Sequence, residues 1–480
     1  MSTPLAPGVH LREIPSGVRL ITATGTSTPA FLGMASDGPN TPLLVRGWSE
    51  FARIYLSNDL ARIEQQASSA ATLRRECDEF VRVDDANDEL DLEALQTIRA
   101  LDTLLGQPPG LQSCDELDAL CLWFDEHAYI PSALLDTLRA YKTELLFLHM
   151  DLPLLTGYLA EVVYGFFANG GAACYIVRLE QGSGAQPTLQ GDELRRSGLA
   201  GLETVPDVQM VAAPDLWTLT RDPAIREDMI KAVVAHCHAM GNRLALTEPP
   251  PDIAPAAAVA FPETLRVDDT TDGFAACYYP WVRVPGVAGV ERVVPPCGHI
   301  AGVWAATDAR RGVFKAPANV GLRGVLGATE PISDDQQADL NPVGVNCLRV
   351  FPGRGLLVWG ARTLSDTRDW RYVNVRRLVC FLEDSIVSSS RWVVFEPNDE
   401  RLWASLRHAV SAFLTDQWRA GALAGRTPGE AFYVVCDDTN NTPDTVDRGH
   451  VYCDIGVAPV RPAEFVVFRV TQTTAAPTVT

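Results

Sequence analysis

Positive charge is in short supply. The 480 residues hold 40 Lys and Arg against 60 Asp and Glu, a formal net charge of −20 with a pI of about 4.8. A field of that sign repels nucleic-acid phosphate and anionic membrane, so neither is expected as a partner. Long apolar runs are missing too: no stretch reaches the roughly 18 consecutive apolar residues of a spanning helix. The opening MSTPLAPGVHLREI has no basic start followed by an apolar core, so neither an export signal nor membrane insertion is expected. The 11 cysteines are scattered and never stand in CxxC spacing. With no export signal, that points to reduced thiols and assembly in the cytoplasm.

Chemistry-bearing motifs are equally scarce. There is no G-x-x-x-x-G-K-[ST] phosphate loop and no G-x-S-x-G nucleophile elbow. HCHAMG gathers His236, Cys237 and His238, but neighbours on a helix point about 100° apart, so helix packing is the expected role. PPCGHIAG sets Cys297 near His299, a spacing that reads as a tight turn, since a Cys–His pair is built in space and not in sequence. CDDTNNTPDTVD (436–447) is rich in oxygen ligands but lacks the register of a calcium loop and reads as a hairpin connection. GLRGVLG has glycines at the wrong spacing for a phosphate cradle. No catalytic residue, cofactor or metal site is expected. A cytosolic α/β enzyme using Cys297 and His299 or the 236–238 cluster is the alternative, and a static scaffold is a third reading.

What is present divides the chain. About three domains fit this length. Residues 1–24 alternate as an extended arm, with Val9 and Leu11 on one face and Val18 and Leu20 following, and Pro4, Pro7 and Pro15 bar a helix. Residues 25–56 carry a strand at PAFLGMA and a helix in RGWSEFARIYL, with Ser49 as the expected cap. Residues 57–150 hold 19 acidic and 7 basic residues, net −12, with helical stripes at Leu92, Leu95, Ile98, Leu101 and Leu105 and at Leu134, Leu138, Tyr141 and Leu145. They read as an inserted acidic helical domain. Residues 151–284 alternate helix and strand, which predicts a mixed, largely parallel sheet.

Residues 285–462 hold two clear helices. One runs near 371–388, with Arg376 and Arg377 off its apolar stripe. The other follows Asn398, the expected cap, and buries Leu402, Leu406, Val410, Phe413 and Leu414. Residues 463–480 begin with a β-rich run of Phe465, Val466, Val467, Phe468 and Val470 that wants cover on both faces, yet only a loose tail follows it.

Several stretches together resemble the contractile tail sheath family of phage tails and related injection systems. They are PGVHLREIPSGVRLITATGTSTPAFLG, YLAEVVYGFFANGGAACYIVRL, YYPWVRVP, PPCGHIAGVWAATDARRGVFKAPAN, NPVGVNCLRVFPGRGLLVWGARTL, YVNVRRLVCFLEDSI, FEPNDERLW and DIGVAPVRPAEFVVFRV, in the family's order. The resemblance implies a multi-domain α/β sheath fold, with extended N- and C-terminal strand arms that pair with a neighbouring copy's sheet. It implies a helical homo-oligomer of stacked hexameric rings around an inner tube protein, with baseplate and cap proteins at the ends and contraction by rigid-body rotation. Residues 285–462 would then lie nearest the tube, with Arg376 and Arg377 as candidate tube-facing residues. Residues 57–150 have no counterpart in a minimal member and would sit on the outer surface.

Overall fold

The computed structural model describes residues 20–85, 92–126, 131–179, 189–265, 273–287 and 289–465. Most of the two expected arms, including Val9, Leu11, Val18, Val466, Val467, Phe468 and Val470, lies outside the described residues.

Short apolar and β-branched runs form the strands β1 (Pro29–Gly33), β2 (Leu43–Val45), β3 (Cys174–Arg178), β4 (Met210–Ala212), β5 (Leu244–Thr247), β6 (Ala275–Tyr279), β7 (Val282–Pro285), β8 (Glu291–Val294), β9 (Val320–Gly321), β10 (Gly327–Ala328), β11 (Val345–Phe351), β12 (Gly355–Trp359), β13 (Phe432–Val435) and β14 (Asp454–Val457). Nine of them build one mixed sheet in the order β2-β3-β1-β4-β5-β6-β11-β12-β9. The run from β3 to β11 is parallel, and antiparallel pairs close both flanks. Central strands β1, β5 and β6 are buried along their whole length, which is why they read as continuous apolar runs and not as alternation. The expected division at 284/285 falls within this unit, because strands on both sides of it share the one sheet.

The helices begin with α1 (Trp48–Tyr55), where Gly47 takes the N-cap and Ser49 lies within the first turn, contrary to the expected cap. Four helices follow in the acidic stretch: α2 (Ser57–Asp85), α3 (Leu92–Leu105), α4 (Cys114–Glu126) and α5 (Ser132–Asp151). Leu73, Cys77, Leu101, Leu117, Phe124, Leu138 and Leu145 fill the space between them, and this core is continuous with that of the sheet. The two ends of the four-helix unit are tied down side by side. Asp37 accepts hydrogen bonds from Asn58 N (2.8 Å) and Ser57 Oγ (3.0 Å). Asp59 accepts from Leu154 N (3.0 Å), and Arg292 donates to Leu154 O (3.0 Å) and Gly157 O (2.6 Å) while pairing with Glu161.

The chain returns through α6 (Pro153–Thr156) and α7 (Leu159–Ala168), then continues with α8 (Gly198–Glu203), α9 (Leu216–Leu219), α10 (Pro223–Met240), α11 (Pro255–Ala258), α12 (Phe261–Thr264), α13 (Cys297–Arg311) and α14 (Asp334–Leu340). The stretch from Leu155 to Phe166 is thus two helices, broken at Gly157. Helix α13 crosses α7 very closely. A β-carbon at Gly298 would lie 2.0 Å from Val162 O, and one at Gly302 would lie 2.5 Å from Phe166 O, so only glycine permits the crossing.

A second core forms around α15 (Val373–Ser389), α16 (Glu400–Arg419), α17 (Pro428–Ala431) and the β13–β14 sheet, whose long connection contains α18 (Pro443–Asp447). The expected stripe of α16 is buried in full, but its cap is Asp399, which accepts from Arg401 N and Leu402 N at 3.0 Å. Asn398 instead takes the indole N–H of Trp403 at 2.8 Å.

Candidate assembly surface

The two-stranded sheet lies against α16. Its register pairs Phe432 with Val457, Tyr433 with Gly456, Val434 with Ile455 and Val435 with Asp454. Side chains alternate across a strand, so Phe432, Val434, Ile455 and Val457 face the second core while Tyr433 points outward at 61% exposure. The Tyr433 ring lies over Gly456, where an added β-carbon would sit 2.1 Å from Cε1. Among the described residues β13 and β14 form ladders only with each other. A two-stranded ribbon is marginal by itself, and its outer edges keep backbone groups available to a further strand.

Both described chain ends are fastened close by, on α15 and on the chain that leads into it. Thr22 N donates to Ser389 Oγ (3.0 Å), Thr24 N to Ser385 Oγ (3.1 Å), and Arg377 Nη2 to Thr26 O (2.8 Å). Ser385 and Ser389 stand one turn apart on one helix face, so the incoming segment is laid along α15. At the other end Asn374 Nδ2 donates to Val460 O (3.1 Å), Arg461 pairs with Asp369 (3.1 Å), and Arg362 binds the Glu464 carboxylate (Nε to Oε1, 2.9 Å). Immediately beyond these fastenings Leu20 is 70% exposed and Phe465 is 76% exposed. These two are the only expected arm positions among the described residues.

Arg376 and Arg377 are not surface residues. The Arg376 guanidinium lies between the rings of Phe274 (3.7 Å) and Trp370 (4.2 Å), a buried cation–π stack. Arg377 makes a two-pronged buried pair with Asp308 (3.0 and 2.5 Å) over the Trp304 ring. The expectation of tube-facing side chains is corrected by this burial: α15 is covered on more sides than its apolar stripe indicates, and Asp308, on α13, supplies the counter-charge.

The candidate catalytic groups are packing residues. On α10, His236 stands 3.3 Å from Arg243, and burial pushes its pKa down to about 4. Cys297 and His299 belong to the first turn of α13, not to a tight turn, and point apart there. Burial raises the Cys297 thiol and lowers His299 to about 4. The stretch 436–447 does lie in the connection between two antiparallel strands, residues 436–453, stitched by Asn441, which bonds both backbone groups of Tyr452. Sequence reasoning missed Ser385, Ser389, Arg362 and Glu464. The available signals were a Ser pair at i, i+4 in EDSIVSSS and a lone acid just before the apolar run that starts at Phe465. Among the described residues no helix is long and apolar enough to cross a membrane.

Comparison with known proteins agrees on one family. The phage tail sheath protein central domain matches residues 196–364 and the phage tail sheath C-terminal domain matches residues 365–473, together more than half of the chain. The tail sheath protein of Vibrio phage KVP40 is 29% identical over 187 residues, 38% of this chain and 27% of that protein. The chain thus spans about a quarter of that curated relative. Among solved structures, the helical sheath of the anti-feeding prophage in its contracted state is 26% identical with a TM-score of 0.61, covering 98% of this chain and 100% of that one. A chain of the anti-feeding prophage baseplate is 25% identical with a TM-score of 0.60 over 98% and 100% of the two chains.

Proposed function

The chain belongs to the phage tail sheath family, and from that premise we propose that it is a structural subunit of a contractile sheath. Copies stack as hexameric rings around an inner tube, with baseplate and cap proteins at the ends. Contraction proceeds by rigid-body rotation of subunits from a metastable extended array into a better packed one. No chemical step is involved.

The observation that most supports this reading is the exposed β13–β14 ribbon beside two fastened segments that carry the exposed Leu20 and Phe465. A strand from a neighbouring copy added to that ribbon is β-augmentation, in which backbone bonds give affinity and alternate side chains give register. Each added strand contributes roughly 4–6 hydrogen bonds at about 0.5–1.5 kcal/mol net. One joint is modest once association entropy is subtracted, while many joints around a ring and along an axis hold strongly. Residues 57–150 then lie on the outer surface as an elaboration of the subunit.

Deleting residues 463–480 tests the reading. We expect a folded chain that no longer polymerises, scored by circular dichroism and electron microscopy beside the full-length protein. Normal tubes from the truncated chain would sink the strand-exchange reading. A static baseplate or cap scaffold is the second reading, favoured by the likeness to a chain of a baseplate assembly. It predicts closed particles of fixed size where a sheath gives tubes of variable length.

A further inference from the structure

The β13–β14 ribbon carries a feature that strand exchange does not use. Continued one step beyond the strand ends, the register that pairs Val435 with Asp454 sets Cys436 opposite Cys453. Alternation places both on the face that holds Phe432, Val434, Ile455 and Val457, and both pack into the second core. Opposed residues of an antiparallel pair have Cα atoms roughly 4.5–5.5 Å apart, inside the roughly 4.4–6.8 Å that a disulfide spans. Both thiols are free here, Cys436 buried and Cys453 partly exposed. The neighbouring Cys453 lowers the pKa of Cys436, and Cys436 raises that of Cys453.

The other cysteines lack this combination. Cys277 and Cys347 lie near each other, as do Cys237 and Cys380, but all four are buried. Cys114 is partly exposed, and its neighbour is His149, at 3.9 Å, not a thiol. Cys436 with Cys453 joins a facing partner to a path from solvent.

We propose that Cys436 and Cys453 are a thiol–disulfide exchange site that closes into a cross-strand disulfide on meeting a low-molecular-weight disulfide. In the first step Cys453, the thiol that solvent reaches, attacks one sulfur of the small disulfide as its proton is given up to solvent. A mixed disulfide forms on Cys453 and one small thiol leaves, taking up the proton Cys453 gave up. In the second step the Cys436 thiolate attacks Cys453 Sγ, the Cys436–Cys453 bond forms, and the second small thiol leaves with the Cys436 proton. Two protein thiols are oxidised and one small disulfide is reduced to two thiols. The product fixes the β13–β14 register from its inner face and leaves Tyr433 and both outer edges uncovered. The value of that for assembly rests on the proposed sheath function, whereas the bond itself does not.

The test is to incubate the full-length chain with oxidised glutathione, block remaining thiols with N-ethylmaleimide and map peptides by mass. We expect a linked pair of peptides containing Cys436 and Cys453, two hydrogens lighter than the reduced pair, before any other two cysteines join. In C436S the second step is lost, so Cys453 should keep a stable glutathione adduct. In C453S, Cys436 should remain a thiol. Alkylation of both cysteines in the unsubstituted chain, or a persistent adduct on its Cys453, would overturn the proposal. The readout is a covalent bond and not a polymer, so its failure leaves the sheath reading standing, and failure to form tubes leaves the bond to be scored by itself.

Discussion

Arg362 and Glu464 form a two-pronged ion pair, with the Tyr372 hydroxyl also within 3.4 Å of the carboxylate, one residue before Phe465 turns out to solvent. The pair fastens the segment before Phe465 to the body beside α15.

Glu464→Gln should release that fastening while leaving the cores intact. We expect little change in global stability, under about 2 kcal/mol, because the segment is terminal and can open locally. Limited proteolysis near Phe465 should become several-fold faster, and polymers should dissociate at lower salt. Unchanged cleavage together with unchanged salt resistance would remove the pair from the joint.

Arg377→Met tests whether α15 meets a second protein through its arginines. Asp308 would be left buried without its counter-charge, and losing one member of such a pair costs about 3–5 kcal/mol. The denaturation midpoint of the isolated chain should fall accordingly, with Asp308→Asn falling by a similar amount and the double variant by less than their sum. An isolated chain of undiminished stability that fails only to bind a tube protein would return Arg377 to an interface.

Glu248 is buried at the end of β5 and holds one hydrogen bond, from the Trp217 indole N–H at 3.0 Å. Burial raises its pKa from the usual 4.5 to about 8, with the indole bond opposing. The folded chain therefore keeps a proton that the unfolded chain gives up above about 4.5. Stability from this group is full below that pH and is lost as pH rises through about 8. Glu248→Gln cannot ionise, so its urea midpoint should fall less between pH 5 and 8.5 than that of the parent chain. The difference should be on the order of 1 kcal/mol per pH unit at most. Parallel pH profiles would show that Glu248 ionises normally.

Much of the sheet and the α16 stripe was legible because each rests on a local pattern. The runs PAFLG and CYIVR and the spacing of Leu402, Leu406, Val410 and Phe413 declare which face is inside. Helix α2 was not legible, although it is 29 residues long, because its buried seam is thin and mixes the apolar Ala70, Leu73 and Cys77 with the polar Asp59 and Gln66. The burial of Arg376 and Arg377 was hidden for another reason. Their partners Phe274, Trp370, Asp308 and Trp304 come from elements that meet α15 only after folding. Ser49 and Asn398 are good capping residues set inside or beside the true caps, the boundary error that local chemistry cannot resolve. For the terminal segments the sequence states a β-rich composition, and composition alone names no pairing partner.

Asp37, Asp59 and Arg292 bring the first turn of α2 and the segment after α5 to the same spot beside the sheet. Everything between those two points enters and leaves through one socket, and the nine strands reach their registers with no strand drawn from it. The four helices are therefore a replaceable head on a fixed stem. A replacement grafted at Ser57 and Leu154 would leave every strand in the chain, provided that it supplied the apolar face the helices share with the sheet's core.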